Sequence, residues 1–269
     1  MLVDSHCHLD AGEFDHDRDA VIARARAAGV ARQIVPATTA AGWPKLRALC
    51  AGADPGSAAA TGLFPAYGLH PMFLAEHRPE HLQALRGWIE REHPCAIGEC
   101  GLDYFIDGLD TDAQQHYFDA QLQLARDFDL PLIVHARRAV DAVIAAIRRV
   151  GGGSGLRGVV HSFSGSRQQA GQLWDAGFLL GLGGPVTYPR AQRLRRLVAS
   201  MPLEHLLLET DAPDQPDAGI RGQRNEPARL PQILQAIAQL RDEDPQAIAA
   251  ATTANAERLF ALPAHISPA

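Results

Sequence analysis

The chain has 269 residues, of which 46% are hydrophobic and 21% charged, so it can bury a substantial core and is not disordered as a whole. Its formal net charge is −6, from 25 basic and 31 acidic residues. A protein that captures nucleic acid through a broad electrostatic surface usually carries an excess of basic residues. This composition therefore excludes broad capture, and a nucleic-acid substrate would have to be held locally, by metals and a few arginines.

The cysteines and the N-terminal residues indicate the cellular compartment of the protein. Cys7, Cys50, Cys95 and Cys100 show no CxxC spacing, and the chain enters an apolar segment within two residues, without the basic region of an export signal. A run of about 18 apolar residues, which a membrane helix needs, is missing from the sequence. We therefore expect a cytoplasmic protein with reduced cysteines, with no membrane contact and no obligate protein partner.

Short apolar runs alternate with longer amphipathic stretches along the chain. The runs predicted as strands are Leu2–Asp4, Gln33–Pro36, Ala66–Leu69, Cys95–Gly98, Leu132–Val134, Gly158–Val160, Phe178–Gly181 and Leu206–Leu208. The stretches predicted as helices are Asp17–Ala28, Pro44–Ala51, Pro79–Glu92, Thr111–Asp127, Val140–Val150, Arg167–Ala176, Ala191–Ser200, Pro227–Arg241 and Pro245–Phe260. Helix spacing of the apolar residues buries one stripe against a sheet. The alternation, with no break in composition, predicts one α/β domain over residues 1–269, a single (β/α)8 TIM barrel.

Six side chains of the metal-ligand type stand where predicted strands end. They are His6, His8, Glu99, His135, His161 and Asp211. In such a barrel the active site forms at the C-terminal ends of the strands, so all six are expected on one face. His6 and His8 are two residues apart on an extended segment, so they point together while Cys7 points away. Because isolated buried polar groups are costly unless paired or bound to metal, this pattern indicates a metal-dependent hydrolase.

Glu99 is the residue expected to bridge two cations. Many metal-dependent amide hydrolases with this barrel use a carbamylated lysine on a strand, but the single lysine, Lys45, lies in a predicted helix. One carboxylate can instead give an oxygen to each cation. The hypothesis is that one metal is held by His6, His8, Glu99 and Asp211, and the other by Glu99, His135 and His161. Histidine-rich ligation suits Zn²⁺, Mn²⁺ or Ni²⁺ better than an all-oxygen Mg²⁺ site.

Three further residues are predicted to contact the substrate, each with an alternative role. His70 ends the third predicted strand, or it is a satisfied histidine in the barrel mouth. Arg137 follows the fifth strand, where it could bind a phosphate through two parallel hydrogen bonds or form a surface ion pair. Asp103 could orient a ligand or cap the next element. Glu209 could contact a histidine that binds metal, or fill a polar layer of the barrel.

Six multi-residue segments carry a resemblance to a known family. They are Val3-Asp-Ser-His-Cys-His-Leu-Asp10, Tyr67-Gly-Leu-His-Pro71, Ile97-Gly-Glu-Cys-Gly-Leu-Asp-Tyr104, Leu130-Pro-Leu-Ile-Val-His-Ala-Arg137, Val160-His-Ser-Phe-Ser-Gly165 and Leu208-Glu-Thr-Asp-Ala-Pro213. Over nearly the whole chain the sequence resembles the TatD family of metal-dependent deoxyribonucleases. Tyr188-Pro-Arg190 and Gly222-Gln-Arg-Asn225 are most similar to its YjjV-like branch, although that branch more often has Gln-Pro-Asn where this chain has Arg224.

The resemblance implies a reaction and a set of roles. The family's metal ligands correspond to the same six residues, and the family is commonly described as Mg²⁺-dependent. Two divalent cations (Zn²⁺, Mn²⁺, Mg²⁺ or Ni²⁺) are expected to lower the pKa of a bridging water and polarise the phosphoryl oxygen. Asp211 is expected to ligate one metal, take the proton of the water and pass it to the leaving group. Glu99 and Asp211 are therefore the predicted catalytic residues.

The predicted function is hydrolysis of DNA phosphodiester bonds, at ends or in single strands. An alternative keeps the site but takes a small phosphoester, a lactone or an aminoacyl ester. The net charge favours that alternative, and the aromatic content of 6% offers no evident stacking platform for single-stranded bases. A third alternative, a metal-binding or scaffold protein without catalysis, is opposed by Asp211 and the full ligand set.

Overall fold

The computed structural model of the protein describes residues 1–51, 61–152 and 155–263. The strands are β1 (Leu2–Asp4), β2 (Val30–Pro36), β3 (Leu63–Tyr67), β4 (Ala96–Asp103), β5 (Leu132–Arg137), β6 (Gly158–Val160), β7 (Phe178–Leu182) and β8 (Leu206–Leu208). The α-helices of these residues are α1 (Arg18–Ala27), α2 (Trp43–Ala51), α3 (Glu80–Glu92), α4 (Thr111–Phe128), α5 (Val140–Gly151), α6 (Arg167–Asp175), α7 (Gln192–Val198), α8 (Leu230–Arg241) and α9 (Pro245–Phe260).

The eight strands form one parallel sheet in chain order, β1 to β8. The last strand returns to the first, because the backbone N–H of Ser5 donates to the carbonyl of Leu208 at 2.9 Å. With helices between the strands, this is the (β/α)8 barrel that the alternating pattern predicts. The prediction of the fold class is therefore confirmed.

The barrel interior is filled by one apolar layer to which every strand contributes. Its members include Val3, Ile34, Ala66, Ala96, Ile133, Val159, Leu179 and Leu207. Leu259 and Phe260 of α9 belong to the same cluster. The side-chain amide of Asn255 on α9 donates to the carbonyls of Leu203 and Leu206, where β8 begins. The last helix therefore covers the end of the barrel at which the strands start, and leaves the opposite end open.

Capping groups fix where several helices begin. Ser166 accepts a hydrogen bond from the backbone N–H of Gln169, whose side chain accepts one from the Ser166 backbone, so α6 begins with a capping box. The Asp110 carboxylate accepts from two backbone N–H groups in the first turn of α4.

Among the described residues, no helix combines the length and apolar character needed to cross a bilayer.

The structure differs from the predicted strand bounds at β2, β3, β4 and β5, and by one residue at β7. Strand β4 continues past Gly98 to Asp103, and β5 continues past Val134 to Arg137. Glu99 and His135 therefore lie inside strands rather than after them. The glycines of β4 serve close packing of strands. A Cβ on Gly101 would lie 2.1 Å from the carbonyl oxygen of His135.

Candidate metal centre

His135 and His161 reach the open end of the barrel through the alternation of their strands. His135 lies two residues beyond Ile133, and His161 two residues beyond Val159, and both of these apolar residues belong to the interior layer. Side chains two residues apart on a strand share one side. Both imidazoles therefore project from the interior of the barrel toward its mouth.

Glu99 reaches the same space because β4 contains a bulge. Ile97 pairs with Leu132 and Cys100 with Val134, so three steps along β4 match two steps along β5. The extra residue reverses the facing of the side chains that follow it. Gly98 permits the close packing here, since a Cβ on it would lie 2.7 Å from Cβ of Ile133. Glu99 thus points into the mouth and is almost fully buried.

The segments after β1 and β8 bind each other and carry the other ligand-type residues. The backbone N–H of Asp211 donates to the carbonyl of His6 at 2.9 Å, and that of His8 donates to Ala212 at 2.7 Å. Asp4 joins the two segments, because its carboxylate accepts from the backbone of His6 and from the hydroxyl of Thr210 at 2.6 Å. Burial raises the pKa of Asp4 to about 7. Its role was not predicted from the sequence, where it reads only as the end of a strand.

A first group of donor atoms faces one oxygen of Glu99. Nε2 of His6 lies 3.1 Å from Nε2 of His8, and these two nitrogens lie 3.2 Å and 3.3 Å from Oε2 of Glu99. Oδ1 of Asp211 lies 3.4 Å from the His6 nitrogen and 3.7 Å from the His8 nitrogen. Four ligands at metal bonds of about 2.0–2.2 Å in a tetrahedron stand about 3.3–3.6 Å from one another. The spacing of this group fits a divalent cation.

A second group faces the other oxygen of Glu99. Oε1 lies 3.1 Å from Nδ1 of His135 and 2.8 Å from Nε2 of His161, and these two nitrogens are 3.2 Å apart. Nε2 of His70 lies 2.9 Å from the same oxygen. The described residues thus include overlapping clusters that could hold a metal, in which Glu99 occurs with His6 and His8 and also with His70 and His135.

The electrostatics of the cluster also favour a bound cation. Burial alone would raise the pKa of Glu99, but the imidazoles of His70, His161 and His6 hold it well below its ordinary value. Burial alone would lower the pKa of His161, yet Glu99 raises it to about 10. The buried carboxylates are thus stabilised as anions by positive charge beside them. A divalent cation supplies that charge while the imidazoles stay neutral and free to ligate.

Asp103 and His70 were predicted to contact substrate, each with an alternative role, and the structure places both of them beside the donor groups. Asp103 is fully buried, and its carboxylate lies 2.9 Å from Nε2 of His135 and accepts from the backbone N–H groups of Phe105 and Ile106. His70 is buried beside Glu99, and its Nδ1 accepts from the backbone N–H of Met72. Both residues contact the donor groups directly. His70 also lines the cavity above the donor groups.

The cavity at the barrel mouth has a volume of about 780 Å³, within the range of small-molecule sites. Its lining includes all the ligand-type residues except the fully buried His6. Arg137, predicted to bind phosphate, is exposed and lines the same cavity. The structure therefore brings Arg137 to the donor groups, without a carboxylate partner among the described residues.

Gln215 is a neighbour of Asp211 that the sequence did not reveal. Its side-chain N–H donates to Oδ2 of Asp211 at 2.5 Å, and its carbonyl oxygen accepts from the hydroxyl of Ser162 at 2.7 Å. Glu209 accepts from the backbone N–H of Ser162 at 2.6 Å, and its Oε1 lies 3.9 Å from Nδ1 of His161. Burial raises the pKa of Glu209 to about 8. Gln215 thus holds one oxygen of Asp211 and leaves Oδ1 directed at the first donor group.

Arg224, the departure from the family pattern, makes structural contacts. Its guanidinium donates two hydrogen bonds to the carboxylate of Asp17, at 2.8 Å and 2.7 Å, and one to the carbonyl of Glu13. It also lies over the ring of Phe14. The residue therefore ties the loop after β8 to the start of α1, and it is not among the residues that line the cavity.

Known proteins share the sequence and the fold. The model of the family described as TatD related DNase matches residues 3–261. The uncharacterized metal-dependent hydrolase YjjV of Escherichia coli K12 is 41% identical over 264 residues, which are 97% of this chain and 98% of that protein. The 3'-5' ssDNA/RNA exonuclease TatD of Cronobacter sakazakii is 35% identical over 268 residues, with 96% and 97% covered.

The crystal structure of YjjV, the TatD homolog from Escherichia coli K12, superimposes with a TM-score of 0.90 at 40% identity, over 97% of this chain and 98% of that one. The crystal structure of a TatD family hydrolase from Entamoeba histolytica has a TM-score of 0.82 at 20% identity, over 96% and 97%, and shares the fold. The family resemblance seen in the sequence motifs is confirmed. The predicted enzyme class, a metal-dependent hydrolase, is confirmed with it.

Proposed function

Since this chain belongs to the TatD related DNase family, we propose that it hydrolyses phosphodiester bonds of nucleic acid with two divalent cations at the barrel mouth. The single observation that carries the proposal is the position of Glu99. One of its oxygens faces the nitrogens of His6 and His8, and the other faces those of His135 and His161. A carboxylate in this position suits two cations and would be a poor match for one.

Each cation has a distinct set of ligands in this proposal. The first set is His6, His8, Glu99 and Asp211, and the second is Glu99, His135 and His161. When bound, the cations supply Lewis acidity that lowers the pKa of a water and polarises the scissile phosphoryl group. Imidazole nitrogens equal the carboxylate oxygens in the first set and outnumber them in the second, which favours Zn²⁺, Mn²⁺ or Ni²⁺ over Mg²⁺ on ligand type, while supply in the cell also decides which metal is bound.

Asp211 is the residue that we expect to move the proton. Its carboxylate is the more open of the two, since 12% of the side chain is exposed compared with 1% for Glu99. Gln215 holds Oδ2, so that Oδ1 is the oxygen available beside the donor groups. The carboxylate can accept the proton of an attacking water and return it to the leaving oxygen.

Arg137 is the residue that we expect to bind the phosphate of the substrate. It lines the cavity together with the ligand-type residues, and a guanidinium pairs with phosphate oxygens in a two-pronged geometry. Asp103 has a different role in this proposal. It positions His135 by accepting the Nε2 proton, which leaves Nδ1 free for the second cation.

A second candidate is a hydrolase of a small phosphoester, lactone or aminoacyl ester at the same site. The observation that favours it is the combination of a cavity of about 780 Å³, large enough for a small molecule, with a net charge of −6. Such a substrate would need the same donor groups and the same Asp211. Only the activity against different substrates distinguishes the two candidates.

The test uses metal-reconstituted protein with end-labelled single-stranded DNA and RNA, in parallel with generic phosphodiester, phosphomonoester and lactone substrates. We expect cleavage of the polynucleotides, and we expect Asp211→Asn to lower the rate by about 10²–10⁴-fold, the range of general acid–base catalysis. Turnover of a small ester without cleavage of either polynucleotide would reject the nuclease proposal. An Asp211→Asn protein with unchanged activity would remove Asp211 from the mechanism.

A further inference from the structure

Large apolar side chains are exposed at the barrel mouth, on the loops after β3 and β4. Met72 and Phe73 are 40% and 37% exposed, and Tyr104 and Phe105 are 37% and 42% exposed. The other large hydrophobic residue exposed in the described part of the chain is Met1, at the N-terminus. An apolar group of this kind beside a cavity, away from the core, marks a binding surface.

Two arginines lie over one of these rings. The guanidinium carbon of Arg137 is 3.6 Å from the ring centroid of Phe105, and that of Arg138 is 4.7 Å from it. In the residues that the structure describes, neither guanidinium has a carboxylate partner. Stacking on the ring therefore holds both groups in place, while their N–H donors remain free to bind an anion.

This surface adjoins the metal centre at two places, through Phe73 and through Arg137. The ring of Phe73 is 5.8 Å from that of His70, which in turn is 4.5 Å from that of His135. Arg137 lies two residues beyond His135 on β5, and both Arg137 and Phe73 line the cavity. We call Phe73, Phe105, Arg137 and Arg138 the rim.

We infer that the rim binds the nucleotides that flank the scissile phosphodiester of a single-stranded polynucleotide. Bases stack on phenyl rings such as that of Phe73, and on guanidinium planes such as those that Phe105 supports, largely without regard to sequence. The N–H groups of the same arginines bind the adjoining phosphates. Phe105 is outside the cavity lining, so a small ester held in the cavity would not use it. This inference rests on the proposed function and assigns to it the residues that hold the nucleotides beside the metal centre.

The rim also explains how a chain with net negative charge can hold nucleic acid. Its four residues come from three separate loop or strand ends, so the sequence indicates Arg137 alone, and neither the composition nor any local run of sequence reveals the group. An aromatic content of 6% offers no evident stacking platform when only the total number of aromatic residues is counted. The structure instead places two of the nine phenylalanines at the mouth.

The test measures binding of two fluorescent oligonucleotides to the metal-reconstituted protein. One is a short oligothymidine and the other an abasic chain of equal length, and both carry phosphorothioate linkages that resist cleavage. We expect wild type to bind the oligothymidine at least about fivefold more tightly, as stacking of one base predicts. Phe105→Ala and Phe73→Ala should reduce this preference while they retain binding to the abasic chain.

Arg137→Ala should weaken binding of both chains and reduce the slope of log affinity against log salt by about 0.7, the value for one phosphate contact to a single strand. The control is Arg148→Ala, which removes the same charge from an exposed position in the last turn of α5, and it should bind both chains as wild type does. Equal affinity of wild type for the two chains, or phenylalanine variants that keep the preference, would overturn the inference.

The outcomes for the rim and for the proposed function are separable. Cleavage of ordinary single-stranded DNA by wild type, combined with rim variants that bind like wild type, would overturn the rim and leave the function in place. Base-dependent binding that is lost in the phenylalanine variants, without any cleavage of DNA or RNA, would support the rim and reject the nuclease function.

Discussion

The carboxylate of Asp103 lies 2.9 Å from Nε2 of His135, while Nδ1 of the same imidazole lies 3.1 Å from Glu99. A histidine with a carboxylate on one nitrogen keeps the proton there and presents the other nitrogen as a lone pair. Burial alone would lower the pKa of His135, but Asp103 and Glu99 raise it. Asp103 therefore decides which nitrogen of His135 is available to a cation.

We expect Asp103→Ala to weaken binding of the second cation by about 10–100-fold, the usual cost of losing a carboxylate that orients a metal-binding histidine. Asp103→Asn should have an intermediate effect, because the amide oxygen can still accept the Nε2 proton. Calorimetric titration of metal into the apoprotein measures both affinities. The control is Asp110→Asn, which changes a helix cap away from the site. Two cation affinities that match wild type in Asp103→Ala would contradict this role.

Removal of Glu99 should disrupt both cation sites at once, because its two oxygens face the two donor groups. We expect Glu99→Ala to retain at most one equivalent of divalent metal after dialysis, with hydrolysis reduced by at least about 10³-fold through the loss of metal catalysis. Elemental analysis of the purified protein gives the metal content. Glu90→Ala, at an exposed position of α3, is the matched control. Two cations at full occupancy in Glu99→Ala would exclude the bridge.

Gln215 should affect catalysis more than binding of the substrate. Its N–H holds Oδ2 of Asp211, and Ser162 holds Gln215 in turn. We expect Gln215→Ala to lower kcat by about 10-fold, comparable to the loss of other groups that orient a ligand, with little change in KM. Ser162→Ala should show a smaller decrease of the same kind. Steady-state kinetics on a generic phosphodiester measure both constants, and an effect confined to KM would argue against the positioning role.

The ion pair between Arg224 and Asp17 should make stability depend on pH. The hydrogen bonds from Arg224 hold the pKa of Asp17 well below its ordinary value. A carboxylate with a depressed pKa in the folded state stabilises the fold above its unfolded pKa of about 3.9, and this contribution is lost as the pH falls toward the folded pKa. We expect Arg224→Ala to lower the Tm by a few degrees at pH 7, and by less below about pH 4.

Thermal unfolding followed by circular dichroism at several pH values checks this expectation. Arg221→Ala is the control, because it removes the same charge from an exposed neighbouring position. A difference in Tm between wild type and Arg224→Ala that stays constant from pH 7 to pH 3 would show that the pair does not contribute in this way. Activity of Arg224→Ala should remain close to wild type at 25 °C, since Arg224 is outside the cavity lining.

Local patterns in the sequence were sufficient for the architecture and for the identity of the six ligand-type residues. The period of the apolar residues reports burial directly, which separates strands from helices. Residues such as His135 and His161 could be chosen because they follow short apolar runs, and parallel strands bring their C-terminal ends to the same side of a barrel.

The contacts between distant segments were decided by the tertiary structure alone. The direction of Glu99 depends on a bulge in β4, whose register is set by pairing with β5. The contacts of Asp4 with Thr210, of Gln215 with Asp211 and of Phe105 with Arg137 join residues that are far apart or in irregular segments. Such pairings follow from how strands align and loops close over them. No local period of residues encodes that alignment, so the six ligand-type residues could be chosen from the sequence, whereas the contacts of Asp4 and Gln215 could not.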